Sequence, residues 1–94
     1  MTDEKIRLLL VDDHALVREG LRQMLAAQSD LEVIGEAPNG AIALAMVRKH
    51  HPDIVLMDIT MPGMNGIEAT RAINDMGLGV KVLGLTVHEN VEYF

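Results

Sequence analysis

Apolar residues occur along this chain in two ways, as uninterrupted runs and as stripes that recur at helical spacing between charged residues. A short uninterrupted run is typical of a strand buried on both faces of a parallel sheet, because such a strand has no solvent face that requires polar side chains. The pattern predicts four such strands, at about Ile6 to Val11, Leu31 to Ala37, Asp53 to Met57 and Val80 to Leu85.

Between the first two predicted strands, the spacing of apolar residues predicts a helix from about Ala15 to Ala27. Apolar residues that return about once per turn give a helix one face for the core and one for solvent. The residues expected on the inner face are Leu16, Gly20, Leu21, Met24 and Leu25. The residues expected in solvent are Arg18, Glu19, Arg22 and Gln23.

Two further helices are predicted from their ends. Asn39 caps the second helix, which stops before Pro52, and Asn65 caps the third, which ends at Gly77. The residues expected on the inner face of the second helix are Ala43, Leu44 and Val47. Those expected on the inner face of the third are Ile67, Ala69 or Thr70, and Ile73. Strands and helices that alternate with short connections predict an α/β fold with a doubly wound parallel sheet.

Length and composition favour one small domain over residues 1–94. Of its residues, 49% are hydrophobic and nearly all of these are aliphatic, so the core is expected to be aliphatic. The net charge is −6 and lysine and arginine do not cluster, which argues against nucleic acid contact by this segment. No apolar run has membrane-spanning length and the amino terminus is too polar for a signal peptide, so a cytoplasmic location is expected.

Aspartates close two of the apolar runs. Asp12 and Asp13 follow the first predicted strand, and Asp58 follows the third. If these strands are parallel neighbours, the carboxylates lie together at the rim where ligands bind in such sheets. Carboxylates that crowd one another need a cation, a proton or a functional reason, and oxygen ligands favour a hard ion such as Mg²⁺.

Three ordered motifs resemble those of the receiver domains of bacterial response regulators. They are Val-Asp-Asp-His at 11–14, Met-Asp-Ile-Thr-Met-Pro-Gly-Met-Asn-Gly at 57–66, and Leu-Thr-Val-His at 85–88. Segments 12–21 and 66–71 are most similar to the NarL/FixJ (LuxR-type) subgroup of transcription factors. The resemblance covers the whole chain. It implies a flavodoxin-like fold with strand order 2-1-3-4, in a two-component regulator of transcription.

The resemblance also implies a role for particular residues. Asp58 would accept a phosphoryl group from the phosphohistidine of a sensor histidine kinase. Asp12, Asp13 and Asp58 would hold Mg²⁺ together with the backbone carbonyl of Thr60, and the ion would screen the charge of the incoming phosphoryl group. The hydroxyl of Thr86, at the end of the fourth strand, would turn toward the phosphoryl group and report it to the outer face.

The chain departs from the family pattern at Phe94, where it stops in what resembles the start of the fourth helix. An incomplete receiver is therefore expected, without the fifth strand, the fifth helix and the lysine that contacts the phosphoryl group. Without that lysine, phosphorylation is expected to be inefficient or short-lived.

The strand at Val80 to Leu85 would be an exposed edge, so we expect self-association, for example as a homodimer through this strand.

Other interpretations of these residues stay open. Asp13 is also placed to cap the first helix. His14 suggests a metal site of histidine and carboxylates, although a solvated residue at a helix start is the simpler interpretation.

The resemblance implies a signalling domain rather than an enzyme, apart from self-catalysed phosphotransfer and dephosphorylation. An interaction module that is never phosphorylated is an alternative. A haloacid-dehalogenase-type phosphohydrolase is a remote one, because that family separates its two acids by one residue.

Overall fold

The computed structural model describes residues 4–58 and 66–85, which form four strands and three helices. In chain order these are β1 (Ile6–Val11), α1 (Ala15–Ala26), β2 (Leu31–Ala37), α2 (Gly40–His50), β3 (Ile54–Asp58), α3 (Gly66–Asp75) and β4 (Lys81–Leu85). Each lies within a residue or two of its predicted position. Among these described residues, no helix is both long and apolar enough to cross a membrane.

The four strands form one parallel sheet in the order β2-β1-β3-β4. This order confirms the predicted doubly wound arrangement. Strand β1 lies between two neighbours, and its residues from Leu8 to Val11 are at most 3% exposed. The uninterrupted apolar run of this strand therefore results from burial on both faces.

The order of the strands determines on which face of the sheet each helix lies. The connection from β1 to β2 runs in one direction across the sheet, and those from β2 to β3 and from β3 to β4 run in the other. Right-handed crossovers therefore place α1 on one face and both α2 and α3 on the opposite face. The main core lies on that second face, and its members are Leu9, Val11, Ala37, Ala43, Leu44, Val47, Val55, Met57, Ala69, Ile73 and Val80.

Helix α1 lies differently from its predicted orientation. Leu16 is 84% exposed, Met24 is 69% exposed and Gly20 is also exposed, so the expected inner face is wrong at these three positions. The side chain of Arg18, expected in solvent, is only 17% exposed and binds Glu36 of β2. On this face of the sheet α1 is the only helix among the described residues, so it buries only the side that contacts β1 and β2.

The ends of α2 and α3 agree with the local signals. The side chain of Asn39 accepts a hydrogen bond from the backbone N–H of Ile42 at 2.9 Å, as predicted for a cap. Gly77 follows α3 with φ +66°, a left-handed conformation that glycine adopts without strain. Ile67 is 60% exposed, so its expected place on the inner face is wrong, whereas Ala69 is buried as expected. Asn65 lies outside the described residues.

Candidate functional site

The carboxyl ends of β1 and β3 bring the predicted aspartates together. Val11 pairs with Met57 across the two strands, so the next residues, Asp12 and Asp58, lie side by side. Asp12 is 2% exposed and Asp58 is 4% exposed, which is uncommon for aspartate. Asp13 follows in the loop with its side chain 30% exposed. The structure thus forms the acidic rim that the sequence predicts.

The side chains at this rim approach one another closely. Asp12, Asp13, His14 and Asp58 each present one possible ligand atom, and these four atoms lie within 4.8 Å of one another. Like charges about 4 Å apart repel by roughly 4 kcal/mol at an effective dielectric constant near 20. Three carboxylates at this spacing therefore favour binding of a cation, and their oxygen atoms suit Mg²⁺.

Asp12 is held at several atoms. Its backbone N–H donates to the carbonyl of Ala37 at 3.1 Å, which extends the pairing of β1 with β2 by one residue. Its carboxylate oxygen Oδ1 accepts a hydrogen bond from the backbone N–H of His14 at 2.7 Å. This short turn fixes the carboxylate at the end of the strand.

His14 interacts with two carboxylates of the site. Its Nδ1 lies 3.0 Å from Oδ1 of Asp12 and 3.0 Å from Oδ1 of Asp13, although its side chain is 65% exposed. The hydrogen bond with Asp12 raises the pKa of His14 above 6.5, and the negative charge of Asp13 adds to the effect. His14, not Asp13, occupies the N-cap position of α1, and the side chain of His14 makes no capping hydrogen bond.

Arg18 is the residue of this region that sequence reasoning missed. Its Nη1 donates to the backbone carbonyl of Asp12, and its Nε donates to Oε1 of Glu36 at 3.2 Å. One signal was present, since Arg18 follows His14 by four residues and so lies on the same side of α1, near the strand end.

Two predicted site residues, Thr60 and Thr86, lie outside the described residues, as does the turn at 61–63. Their expected roles therefore stay predictions.

Residues 8–94 match the family described as the response regulator receiver domain. This chain belongs to that family. The receiver is similar to the transcriptional regulatory protein DegU of Brevibacillus brevis, with 41% identity over 93 residues, which are 99% of this chain and 39% of that protein. It therefore spans about two fifths of that relative's length.

Solved structures give the same result for the fold. The receiver superposes on the signal receiver domain of the putative response regulator NarL from Mycobacterium tuberculosis with a TM-score of 0.85 and 39% identity, covering 93% of this chain and 70% of that one. It also matches a chain of the CheX-CheY-BeF3-Mg complex from Borrelia burgdorferi with a TM-score of 0.81 and 28% identity. The match covers 88% of this chain and 63% of that one. These neighbours confirm the flavodoxin-like receiver fold and the resemblance to NarL/LuxR-type regulators.

Proposed function

We propose that this receiver accepts a phosphoryl group on Asp58 from the phosphohistidine of a sensor histidine kinase, in a reaction that requires Mg²⁺. The observation that carries this proposal is the cluster itself. Asp58 is buried at the end of β3, and its carboxylate lies within 4.8 Å of ligand atoms from Asp12 and Asp13. Such a site contains one nucleophile beside residues suited to hold a cation.

In this proposal, Asp58 supplies the attacking oxygen. A new O–P bond forms to its carboxylate while the P–N bond of the donor breaks, and the departing imidazole takes a proton from solvent. Asp12 and Asp13 would hold Mg²⁺ with Asp58 and the backbone carbonyl of Thr60. When bound, the ion would neutralise charge between the phosphoryl group and the acids. The CheX-CheY complex that this chain resembles contains Mg²⁺, which supports the choice of ion.

The signal would then pass to a partner. Thr86 would turn its hydroxyl toward the phosphoryl group, and the altered outer face would regulate a DNA-binding output domain. The relatives support this output, because they are named as transcriptional regulatory proteins or response regulators and are longer than this chain.

The test of this proposal is intact-mass analysis after incubation with Mg²⁺ and a small phosphodonor. The parent chain should gain the mass of one phosphoryl group, and Asp58→Asn should gain none. Asp53→Asn is a matched control, because Asp53 is an exposed acid next to the opposite end of β3. Modification of Asp58→Asn to the yield of the parent would contradict the proposal. A parent chain that is never modified would favour the interaction module, and turnover of a generic phosphate ester would favour the phosphohydrolase.

We also propose that two copies of this chain associate through β4. In the part of the chain that the structure describes, no strand pairs with the outer edge of β4. Leu83 on this strand is 52% exposed, and Lys81 is its only charged residue, which is weak protection against edge pairing. Light scattering at micromolar concentration should detect a dimer or larger species, whereas a monomer at all concentrations would refute this association.

A further inference from the structure

Arg18 connects two elements beside the acidic site. Its Nη1 donates to the backbone carbonyl of Asp12, which follows β1, and its Nε donates to Glu36 on β2 at 3.2 Å. The guanidinium group is suited to this arrangement, because its donors point in fixed directions from one plane. A lysine ammonium has no comparable fork and holds two separate acceptors less well.

The carbonyl that Arg18 binds lies where the ladder between β1 and β3 has ended. The last pair in register is Val11 with Met57, and Asp12 follows it with 2% exposure. A buried carbonyl without a donor is costly, and Arg18 supplies the donor. The N–H of Asp12 is already held by the carbonyl of Ala37 at 3.1 Å, so the backbone of Asp12 is fixed on both sides.

Glu36 in turn fixes the direction of Arg18. Its Oε1 accepts from Nε of Arg18, while its Oε2 lies 3.3 Å from Nε of Arg22. Arg22 also contacts Glu19, at 3.4 Å, within the same helix. The two arginines thus share one carboxylate, but only the contacts of Arg18 extend to Asp12.

We propose that Arg18 and Glu36 are a positioning pair for the acidic site, and this inference rests on the proposed function. The carbonyl of Asp12 belongs to the same peptide group as the N–H of Asp13. Fixing that peptide group restricts the orientation of Cβ of Asp13 relative to Cβ of Asp12. Arg18 and Glu36 therefore hold the backbone that carries two groups proposed to bind the same cation.

The position of Arg18 and its positive charge predict opposite effects of its removal on the affinity for Mg²⁺. As a positive charge near the site, Arg18 opposes the binding of Mg²⁺, so its removal would strengthen binding if charge alone mattered. As a positioning residue, Arg18 holds the carboxylates in the arrangement that binds Mg²⁺, so its removal weakens Mg²⁺ binding. Residues that orient the ligands of a metal typically change its affinity about 10- to 100-fold when they are replaced.

The experiment is calorimetric titration of the folded protein with Mg²⁺ for the parent, Arg18→Met, Arg18→Lys and Arg22→Met. Binding should weaken about tenfold in Arg18→Met. It should weaken less in Arg18→Lys, which retains a donor for the carbonyl. Arg22→Met is the matched control, because Arg22 forms its ion pairs with Glu36 and Glu19 and not with Asp12. Its affinity should stay within about twofold of the parent.

A spectroscopic readout separates positioning from a general loss of stability. The amide resonance of Asp13 reports on the peptide group that Arg18 binds, so Arg18→Met should shift it without added metal and Arg22→Met should not. Unchanged or tighter Mg²⁺ binding by Arg18→Met overturns the positioning pair and leaves the proposed function intact. If Arg18→Met does not fold, unchanged affinity in Arg18→Lys overturns it. A parent chain that binds no Mg²⁺ refutes both proposals.

Discussion

The two ends of the parallel sheet accommodate aspartate in different ways. At the amino end, exposed Asp53 accepts a hydrogen bond from the backbone N–H of Arg7 at 2.9 Å on its Oδ2. Its own N–H donates to the carbonyl of Arg7, and its carbonyl accepts from the N–H of Lys81. One acid therefore joins β1, β3 and β4. At the carboxyl end, Asp12 and Asp58 are buried and crowd each other instead.

The number of acids at each end explains this difference. At the amino end, the carboxylate of Asp53 accepts a backbone N–H and belongs to no acidic cluster among the described residues. At the carboxyl end, the carboxylate of Asp12 also accepts a backbone N–H, but ligand atoms of two further carboxylates lie within 4.8 Å. Because these like charges repel, the carboxyl end favours positive groups. Arg18 supplies one to the carbonyl of Asp12, and His14 supplies another to the carboxylates when it is protonated.

The largest expected effect tests whether the carboxyl end needs a cation. Mg²⁺ at about ten times its dissociation constant should stabilise the parent by about 1.4 kcal/mol, if the unfolded chain does not bind it. Asp13→Ala should lose this increment, because it removes one of the ligands. Asp53→Ala should retain it. Urea unfolding with and without Mg²⁺ measures the increment in each variant. If the free energy of unfolding of the parent does not change in millimolar Mg²⁺, the site is not formed.

A smaller effect should appear without metal at pH 8, where the two ends should respond with opposite signs. Asp53→Asn should lower the free energy of unfolding by about 1 kcal/mol, because a charged acceptor of the Arg7 N–H is lost. Asp13→Asn should raise it by up to about 1 kcal/mol, because repulsion at the rim is relieved. Equal destabilisation by both variants in urea unfolding would contradict the comparison.

The smallest effect concerns His14. Its pKa is raised above 6.5 in the folded chain by Asp12 and then Asp13, so the protonated ring stabilises the fold. This stabilisation is complete below pH 6.5 and is lost as the pH rises through the higher folded-state pKa. NMR titration should show the raised pKa, and saturating Mg²⁺ should lower it by competing for the same carboxylates. His14→Gln should remove this part of the pH dependence of stability. If the pKa of His14 does not change when Mg²⁺ is added, the ion binds elsewhere.

Local patterns predicted much of the fold. The apolar runs predicted the four strands, and their alternation with helices predicted a doubly wound parallel sheet. The order β2-β1-β3-β4 was implied by the resemblance to receiver domains. Asn39 and Gly77 marked helix ends through their own backbone preferences. The acidic rim was also predictable, because the carboxyl ends of neighbouring parallel strands meet at one edge. These features depend on residues close in sequence or on general rules of topology.

Tertiary structure alone decided how much of each predicted helix face the sheet covers. The period of a helix determines which residues share a face, but not whether that face is covered, so Leu16, Met24 and Ile67 are exposed despite their spacing. The partner of Arg18 is Glu36, which is 18 residues away in sequence. No local pattern encodes that pair, because it forms only when α1 packs beside the end of β2.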